Sequence, residues 1–350
     1  MSKTVTVKGV KNPYDVIIGN NILNIIPDKI KELTRAKTIA VITDDNVDRL
    51  YADNVLAMLN DVGFNAIKFV FPHGEKHKTM ATVCEILEFL AENNLTRTDL
   101  IIALGGGIVG DVTGYVAASY LRGIDFIGIP TTFLAAIDSS VGGKTGVNLK
   151  AGKNLAGAFY QPRLVICDTI TFDTLPKDNF KEGVAEAIKY GAICDKSLFN
   201  LLSQDKTWNI EWVIQRCVSI KAEIVSEDEF DLGKRQLLNF GHTVGHAIEK
   251  ITNFEISHGI AVGIGMAIIS KISDCLRWSK ENTNSEIVKC LKNNDIQTEI
   301  KVETEELLSV MIKDKKISGD LINLVIPEKI GNCVLKTIDV IELEEVLKCR

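Results

Sequence analysis

Leu100-Ile-Ile-Ala-Leu-Gly-Gly-Gly-Ile-Val-Gly-Asp111 joins a short apolar run directly to a cluster of glycines. An apolar run of this length, closed by glycine, reads as a buried strand, and the residues after it read as the opening of a helix. Gly105, Gly107 and Gly110 match G-x-G-x-x-G in that strand-turn-helix setting, which lets a backbone approach a pyrophosphate at a helix N-terminus. The same glycines would also serve a plain tight turn. The acidic residue such a motif places about 20 positions downstream is not evident here; Asp44, at the end of an earlier run, is the alternative partner for a ribose.

Similar runs lie on either side. Thr38–Thr43 ends in Asp44-Asp45-Asn46, and Ala66–Phe71 ends in Pro72-His73-Gly74-Glu75. Phe126–Ile129 stops at Pro130-Thr131-Thr132, and Arg163–Cys167 stops at Asp168. Strands interleaved with helical patterns argue for a mostly parallel sheet with helices on both faces, with ligands bound beyond the carboxyl ends of the strands. After Thr174-Leu-Pro176 the texture changes. From Phe180 to Ser279 apolar residues recur at three- and four-residue spacing, which is helical. The tail reads as a helix around Glu305–Lys313, a strand at Leu321–Ile326 and a last helix. The expectation is an α/β, Rossmann-like N-terminal domain over residues 1–174 and a mainly α-helical domain over residues 175–350, with the active site in the cleft between them.

Composition narrows the class. At 350 residues, the chain exceeds one ordinary core. With 46% apolar and 25% charged residues it is an ordinary globular balance, and a net charge of −6 gives no electrostatic reason to expect nucleic acid or an anionic membrane as partner. Eight cysteines without a CxxC pair read as reduced thiols, so a cytoplasmic location is expected. No apolar run approaches the roughly 20 residues of a membrane span.

The chemistry-bearing residues cluster. Leu237-Leu-Asn-Phe-Gly-His-Thr-Val-Gly-His-Ala-Ile-Glu249 carries His242 and His246 four apart, on one face of a helix, and His258 follows beyond a break at Thr252-Asn253. Three of the chain's five histidines within seventeen residues point to a metal or catalytic site. Glu186 and Lys189 stand three apart in Val-Ala-Glu-Ala-Ile-Lys-Tyr. One carboxylate and imidazoles from neighbouring helices would make a zinc site with an open position, although such a set also suits ferrous iron. Gly143-Lys144-Thr145 lacks the earlier glycine of a Walker A loop. What remains is a glycine-flanked lysine and Lys153-Asn154, suited to phosphate oxygens.

Together, Asp138–Gln161 (Asp-Ser-Ser-Val-Gly-Gly-Lys-Thr-Gly-Val-Asn onward), Ala185-Glu-Ala-Ile-Lys-Tyr-Gly191 and Leu238-Asn-Phe-Gly-His-Thr-Val-Gly-His-Ala-Ile-Glu249 resemble the 3-dehydroquinate synthases, members of the sugar-phosphate cyclase superfamily. The resemblance spans about residues 10–330, including Gly74-Glu75, Gly105–Asp111 and Asp314-Lys315-Lys316. It implies conversion of 3-deoxy-arabino-heptulosonate 7-phosphate to 3-dehydroquinate and phosphate in aromatic amino-acid biosynthesis, by a homodimer using NAD and Zn2+, with Co2+ as an alternative ion. The metal ligands it implies are Glu186, His242 and His258, which demotes His246 to a substrate contact. NAD would meet Asp44, Asn46, Glu75, Lys78, the turn Gly105, Gly106, Gly107, Ile108, Val109, Gly110 and Asp111, then Thr131, Thr132, Lys144, Lys153 and the segment Thr171, Phe172, Asp173, Thr174. The anionic sugar phosphate would meet Asp138, Lys144, Asn154, Lys189, Lys221, Arg235, Asn239 and His246, with Lys315 or Lys316 joining the phosphate contacts. Arg122 would reach across the dimer interface. One departure stands out: the family's usual His-Gly-Glu-Ala-Val is here His258-Gly-Ile-Ala-Val262, so Ile260 removes a carboxylate near the metal.

Overall fold

The computed structural model describes residues 2–204, 207–312, 317–318 and 320–350. Nine strands fall in the first half: β1 (Lys3–Val7), β2 (Tyr14–Gly19), β3 (Thr38–Asp44), β4 (Asn65–Phe71), β5 (Leu100–Gly105), β6 (Asp125–Pro130), β7 (Lys144–Leu149), β8 (Gly152–Phe159) and β9 (Leu164–Asp168). Seven form one sheet in the order β1-β2-β9-β6-β5-β3-β4; only β1 and β2 pair antiparallel, the rest being parallel. The run at residues 100–105 is therefore a central strand, as its unbroken apolar sequence requires when both faces are covered. Alternation divides it between two cores. Ile39, Val41, Ile102 and Leu104 pack on one face, and Ala40, Ile42, Ile101 and Ala103 on the other.

The chain leaves β3 for the edge strand β4, then returns on the opposite side of β3 to form β5 and β6. The connections after β3 and β5 thus diverge, opening a crevice at the carboxyl ends of these strands. Asp44 ends β3, Gly105 ends β5 and Thr131 follows β6, so the topology brings them to one edge. Asp168, at the end of β9, is different. It is fully buried and accepts the backbone N–H groups of Asn21, Ile22 and Leu23 at 2.7, 2.6 and 2.9 Å. Its charge is spent on holding the turn after β2.

Contacts gather the chain into two units, Met1–Pro176 with Ile210–Phe230, and Lys177–Asn209 with Asp231–Arg350. The division is therefore interleaved, unlike the contiguous one expected at 174/175. The helix Ile210–Glu227 packs on β1 and β2, and at Gly9 a Cβ would lie 2.6 Å from the carbonyl oxygen of Ser226. The hairpin β7–β8 was not legible as strands in the sequence. Glycines at 146 and 157 let its two backbones meet so closely that a Cβ on Gly157 would lie 2.1 Å from Thr145 O.

The second unit is mainly helical, as expected, with Lys177–Cys194, Lys196–Ser203, His242–Ile251, His258–Cys275, Thr283–Asn293 and Thr304–Ile312 as its principal helices. A small antiparallel sheet joins β10 (Ile317–Ser318), β11 (Leu321–Lys329) and β12 (Asn332–Asp339). β11 runs through Pro327, where the register shifts, instead of ending before it, and β12 went unread. Lys315 and Lys316 lie outside the described residues.

Two helices carry the three clustered histidines. Thr252 closes the first, and Asn253 and Phe254 turn the chain through left-handed conformations at φ 49 and 64°. Gly245 sits inside the first of these helices. It is needed for close approach, since a Cβ there would lie 3.0 Å from Ala261 O. Gly265 is tighter still, its Cβ position being 2.1 Å from Gly241 O. Gly265→Ala therefore forces the two helices apart. We expect a loss of about 1–3 kcal/mol in unfolding free energy, read by urea denaturation, as for other overpacked contacts.

Candidate active site

The first unit offers a cradle at the sheet edge. The helix Gly107–Ser119 starts without a side-chain cap, so its first N–H groups remain for an anion. A Cβ on Gly110 would meet nothing within 4 Å, so this side of the turn is open, while Val109 is fully buried and contributes only backbone there. A cavity lies against Gly105, Gly106, Gly110, Asp111, Ser139 and Lys144. Thr131 N–H donates to Gly105 O at 3.0 Å, joining the ends of β5 and β6.

A polar network ties this cradle to the hairpin. Lys78, almost fully buried, donates to Asp111 Oδ2 at 2.5 Å and to Asn154 Oδ1 at 2.6 Å. Burial pushes the Asp111 carboxyl up, with the Lys78 ammonium opposing it. Asn148 donates to Glu75 Oε1 at 2.8 Å, and Lys153 stands 3.8 Å from the same oxygen. Asn154 is held at φ 51°, its N–H donating to Asn148 Oδ1 at 2.9 Å. Sequence reasoning assigned Lys78 and Asp111 to NAD and Asn154 to substrate; the structure puts Lys78 in contact with both of the others. Lys221 donates to the carboxylate and carbonyl of Asp138, so these two site candidates form a pair.

Other candidates are placed less centrally. Asp44 accepts from the N–H groups of Asn46 and Val47 at 2.9 and 3.0 Å, acting as a helix cap, and Asn46 is exposed. Thr171 and Phe172 are buried, whereas Thr174 Oγ1 lies 2.6 Å from the Tyr51 hydroxyl. Thr132 Oγ1 accepts from Ala135 N–H at 3.1 Å. Arg122 is exposed and strained at φ 67°, following Leu121 at φ 50°.

In the second unit the chemistry converges on one carboxylate. Glu186 lies mid-helix in Lys177–Cys194 and is wholly removed from solvent. Lys189, one turn on and equally buried, puts its ammonium 2.5 Å from Oε2. This pair is no surface ion pair. Oε1 makes no hydrogen bond among the described residues and faces His242 Nε2 at 3.4 Å and His258 Nε2 at 3.6 Å. Charge-assisted hydrogen bonds would be about 2.7–2.9 Å long. Two ligands of a tetrahedral ion with bonds of about 2.0–2.2 Å stand roughly 3.3–3.5 Å apart. The spacing fits a shared cation far better than a hydrogen bond.

The far side of each ring is also engaged. His242 Nδ1 lies 3.2 Å from Phe240 O, and His258 Nδ1 lies 3.2 Å from Glu249 Oε2, which leaves both Nε2 atoms toward Glu186. Burial disfavours a charge on His258, but the carboxylates of Glu186 and Glu249 beside its ring outweigh that and push its pKa up to about 10. A proton and a metal ion therefore compete for this ring. Glu186, His242 and His258 form one group whose ligand atoms lie within 4.8 Å of one another; His246, Glu249 and His258 form a second. The HxxxH pair His242 and His246 belongs to neither group as a pair, although helical spacing alone would have joined them. Glu249 and Glu182 are the carboxylates that sequence reasoning missed. Glu182 is raised by burial, accepts the N–H of Gly259 and hydrogen-bonds Ser257. Ile260 thus leaves His258 with carboxylates on either side. Arg235, in the turn Lys234–Asn239 that precedes these helices, is 2% exposed.

The sequence model described as 3-dehydroquinate synthase N-terminal matches residues 68–182, and that described as 3-dehydroquinate synthase C-terminal matches residues 183–317. A 3-dehydroquinate synthase of Clostridium acetobutylicum is 41% identical over 353 residues, covering 99% of each chain. One of Streptococcus thermophilus is 40% identical over 97% of this chain and 98% of its own. Among solved structures, a 2-deoxy-scyllo-inosose synthase complexed with carbaglucose-6-phosphate, NAD+ and Co2+ superposes with a TM-score of 0.89 at 27% identity, over 99% of each chain. A 2-epi-5-epi-valiolone synthase from Streptomyces hygroscopicus with NAD+ and Zn2+ bound gives 0.86 at 25% identity, over 99% of this chain and 98% of its own. An iron-containing alcohol dehydrogenase, at 15% identity and a TM-score of 0.64, shares the fold.

The geometry separates the histidines by experiment. With three protein ligands there is little redundancy, so His258→Ala should purify with little or no zinc. His246→Ala should retain its zinc and lose turnover. Metal analysis by mass spectrometry reads the first, and an activity assay reads the second.

Proposed function

The chain belongs to the 3-dehydroquinate synthase family, and from that premise we propose that it converts 3-deoxy-arabino-heptulosonate 7-phosphate to 3-dehydroquinate and phosphate. The observation that carries the reading is the buried Glu186 carboxylate, with two imidazoles at ligand spacing beside it and a lysine behind it. Glu186, His242 and His258 would hold the divalent ion, and the strand-edge cradle from Gly105 to Asp111 would hold NAD. When bound there, the ion supplies Lewis-acid polarisation of a hydroxyl and NAD supplies transient hydride transfer.

The chain's own residues then bind and orient. Lys189 places its ammonium against Glu186 from behind, so the buried carboxylate is met by positive charge. Lys144, Asn154, Lys189, Lys221, Arg235, Asn239 and His246 would be the substrate contacts, and Lys144 is exposed at the head of β7. Arg235 suits the substrate's carboxylate, because its planar fork matches two oxygens at once. The nearby carboxylates are committed: Asp111 to Lys78, Asp138 to Lys221, Glu186 to Lys189 and Glu249 to His258. That supports proton removal by the substrate's own phosphate group during its elimination. A homodimer and a cytoplasmic location belong to the same reading; among the described residues no helix is long and apolar enough to cross a membrane.

Phosphate release from the heptulosonate phosphate, with and without added NAD, tests the reaction. The expected result is one phosphate per substrate, dependence on NAD and no net NADH. NADH accumulating in step with turnover would mark a dehydrogenase instead. Arg235→Lys keeps the charge but loses the fork, so we expect activity to fall about 100-fold, the scale on which positioning errors act. Circular dichroism and NAD binding should be unchanged.

A further inference from the structure

Glu249 has no place in the ligand set or among the substrate contacts, yet it is 3% exposed and points at the metal cluster. It lies in the last turns of the helix His242–Ile251. A buried negative charge is unfavourable there, because the free carbonyls make that end of a helix negative. Something must compensate. His258 compensates it: its Nδ1 is 3.2 Å from Glu249 Oε2, while Nε2 of the same ring is 3.6 Å from Glu186 Oε1. The imidazole is thus gripped through both nitrogens between two carboxylates.

The two histidines of the cluster are not equivalent in this respect. His242 has a neutral carbonyl, Phe240 O, behind it, whereas His258 has a carboxylate. A carboxylate makes the opposite ring nitrogen a stronger donor than a carbonyl does, and it fixes the tautomer. The helix that carries His258 supplies no such group itself. Its first turn holds no acidic residue, and position 260 is Ile. Glu182 touches that turn, but it holds the backbone N–H of Gly259 and not the ring.

We infer that Glu249 is a positioning residue: it orients His258 through Nδ1 and strengthens Nε2 as a metal ligand. The inference rests on the metal reading of Glu186, His242 and His258. Zinc affinity measured by competition with a chromophoric chelator tests it on the full-length protein, for the native chain and for His258→Ala, Glu249→Ala and Glu249→Gln. The expected native result is one zinc per chain. Glu249→Ala should bind zinc about 10–100-fold more weakly, the usual cost of losing such a partner. Glu249→Gln, whose amide oxygen still accepts from Nδ1–H but carries no charge, should fall between the two, with a loss of about tenfold. NAD affinity should stay at the native value in both, and the visible spectrum of the Co2+ form should shift in Glu249→Ala and revert toward native in Glu249→Gln. If Glu249→Ala does not fold, Glu249→Gln carries the test. Native zinc affinity in the folded Glu249 variants, beside a zinc-free His258→Ala, would overturn the inference and leave the metal reading intact. A second zinc per chain that disappears with Glu249 would also overturn it, since Glu249 would then be a ligand. No zinc on the native chain would overturn the metal reading and the inference together.

Discussion

A carboxylate that is wholly out of water must be met by positive charge, and the second unit is arranged around this need at Glu186. An isolated buried charge costs many kcal/mol, and in practice it is neutralised or paired. Lys189 meets one oxygen, and the other faces two imidazoles at distances that suit a shared cation. The glycines at 241, 245 and 265 follow from this demand. Without side chains there, the helices that carry His242 and His258 approach until backbone touches backbone. The left-handed turn at Asn253 and Phe254 reverses the chain between them. Packing therefore serves the electrostatics.

The first unit applies different physics to the same kind of task. Its carbon framework is two apolar faces of a parallel sheet, and its polar groups gather where the strands end. There the helix N-terminus after Gly106 offers unspent N–H groups, and Lys78 joins Asp111 to Asn154. Lys78 is the hinge of this network. It links the turn after β4, Asp111 of the helix after β5 and the hairpin β7–β8, so the cradle's shape depends on one buried ammonium. Asp168 shows the contrast: a strand-end carboxylate of the same type is consumed by four backbone N–H groups and has a structural task.

The central strands were legible because a parallel strand buried on both faces leaves an unbroken apolar run, and each such run ended at a turn residue. The hairpin β7–β8 was not, because its glycines and lysines carry no alternating apolar pattern; close backbone approach selected them. The helix Ile210–Glu227 was correctly read as a helix, but its spacing says nothing about which sheet its apolar face covers. In the site, residue type and spacing put the three histidines together, while spacing alone coupled His242 to His246. Tertiary structure regroups them, since the partner of His242 is a residue sixteen positions away, brought back by a reversal. Glu249 was invisible as a site residue because a glutamate near a helix end ordinarily reads as solvated surface.

The central claim is that one divalent ion sits between Glu186 Oε1 and the Nε2 atoms of His242 and His258. X-ray absorption at the zinc edge of the loaded protein addresses it directly, because imidazole rings give a multiple-scattering signature that can be counted. The account predicts two imidazoles and only nitrogen or oxygen neighbours, at about 2.0–2.2 Å. Three imidazoles would place His246 on the metal, and a sulfur neighbour would place the ion elsewhere; either result would contradict the account.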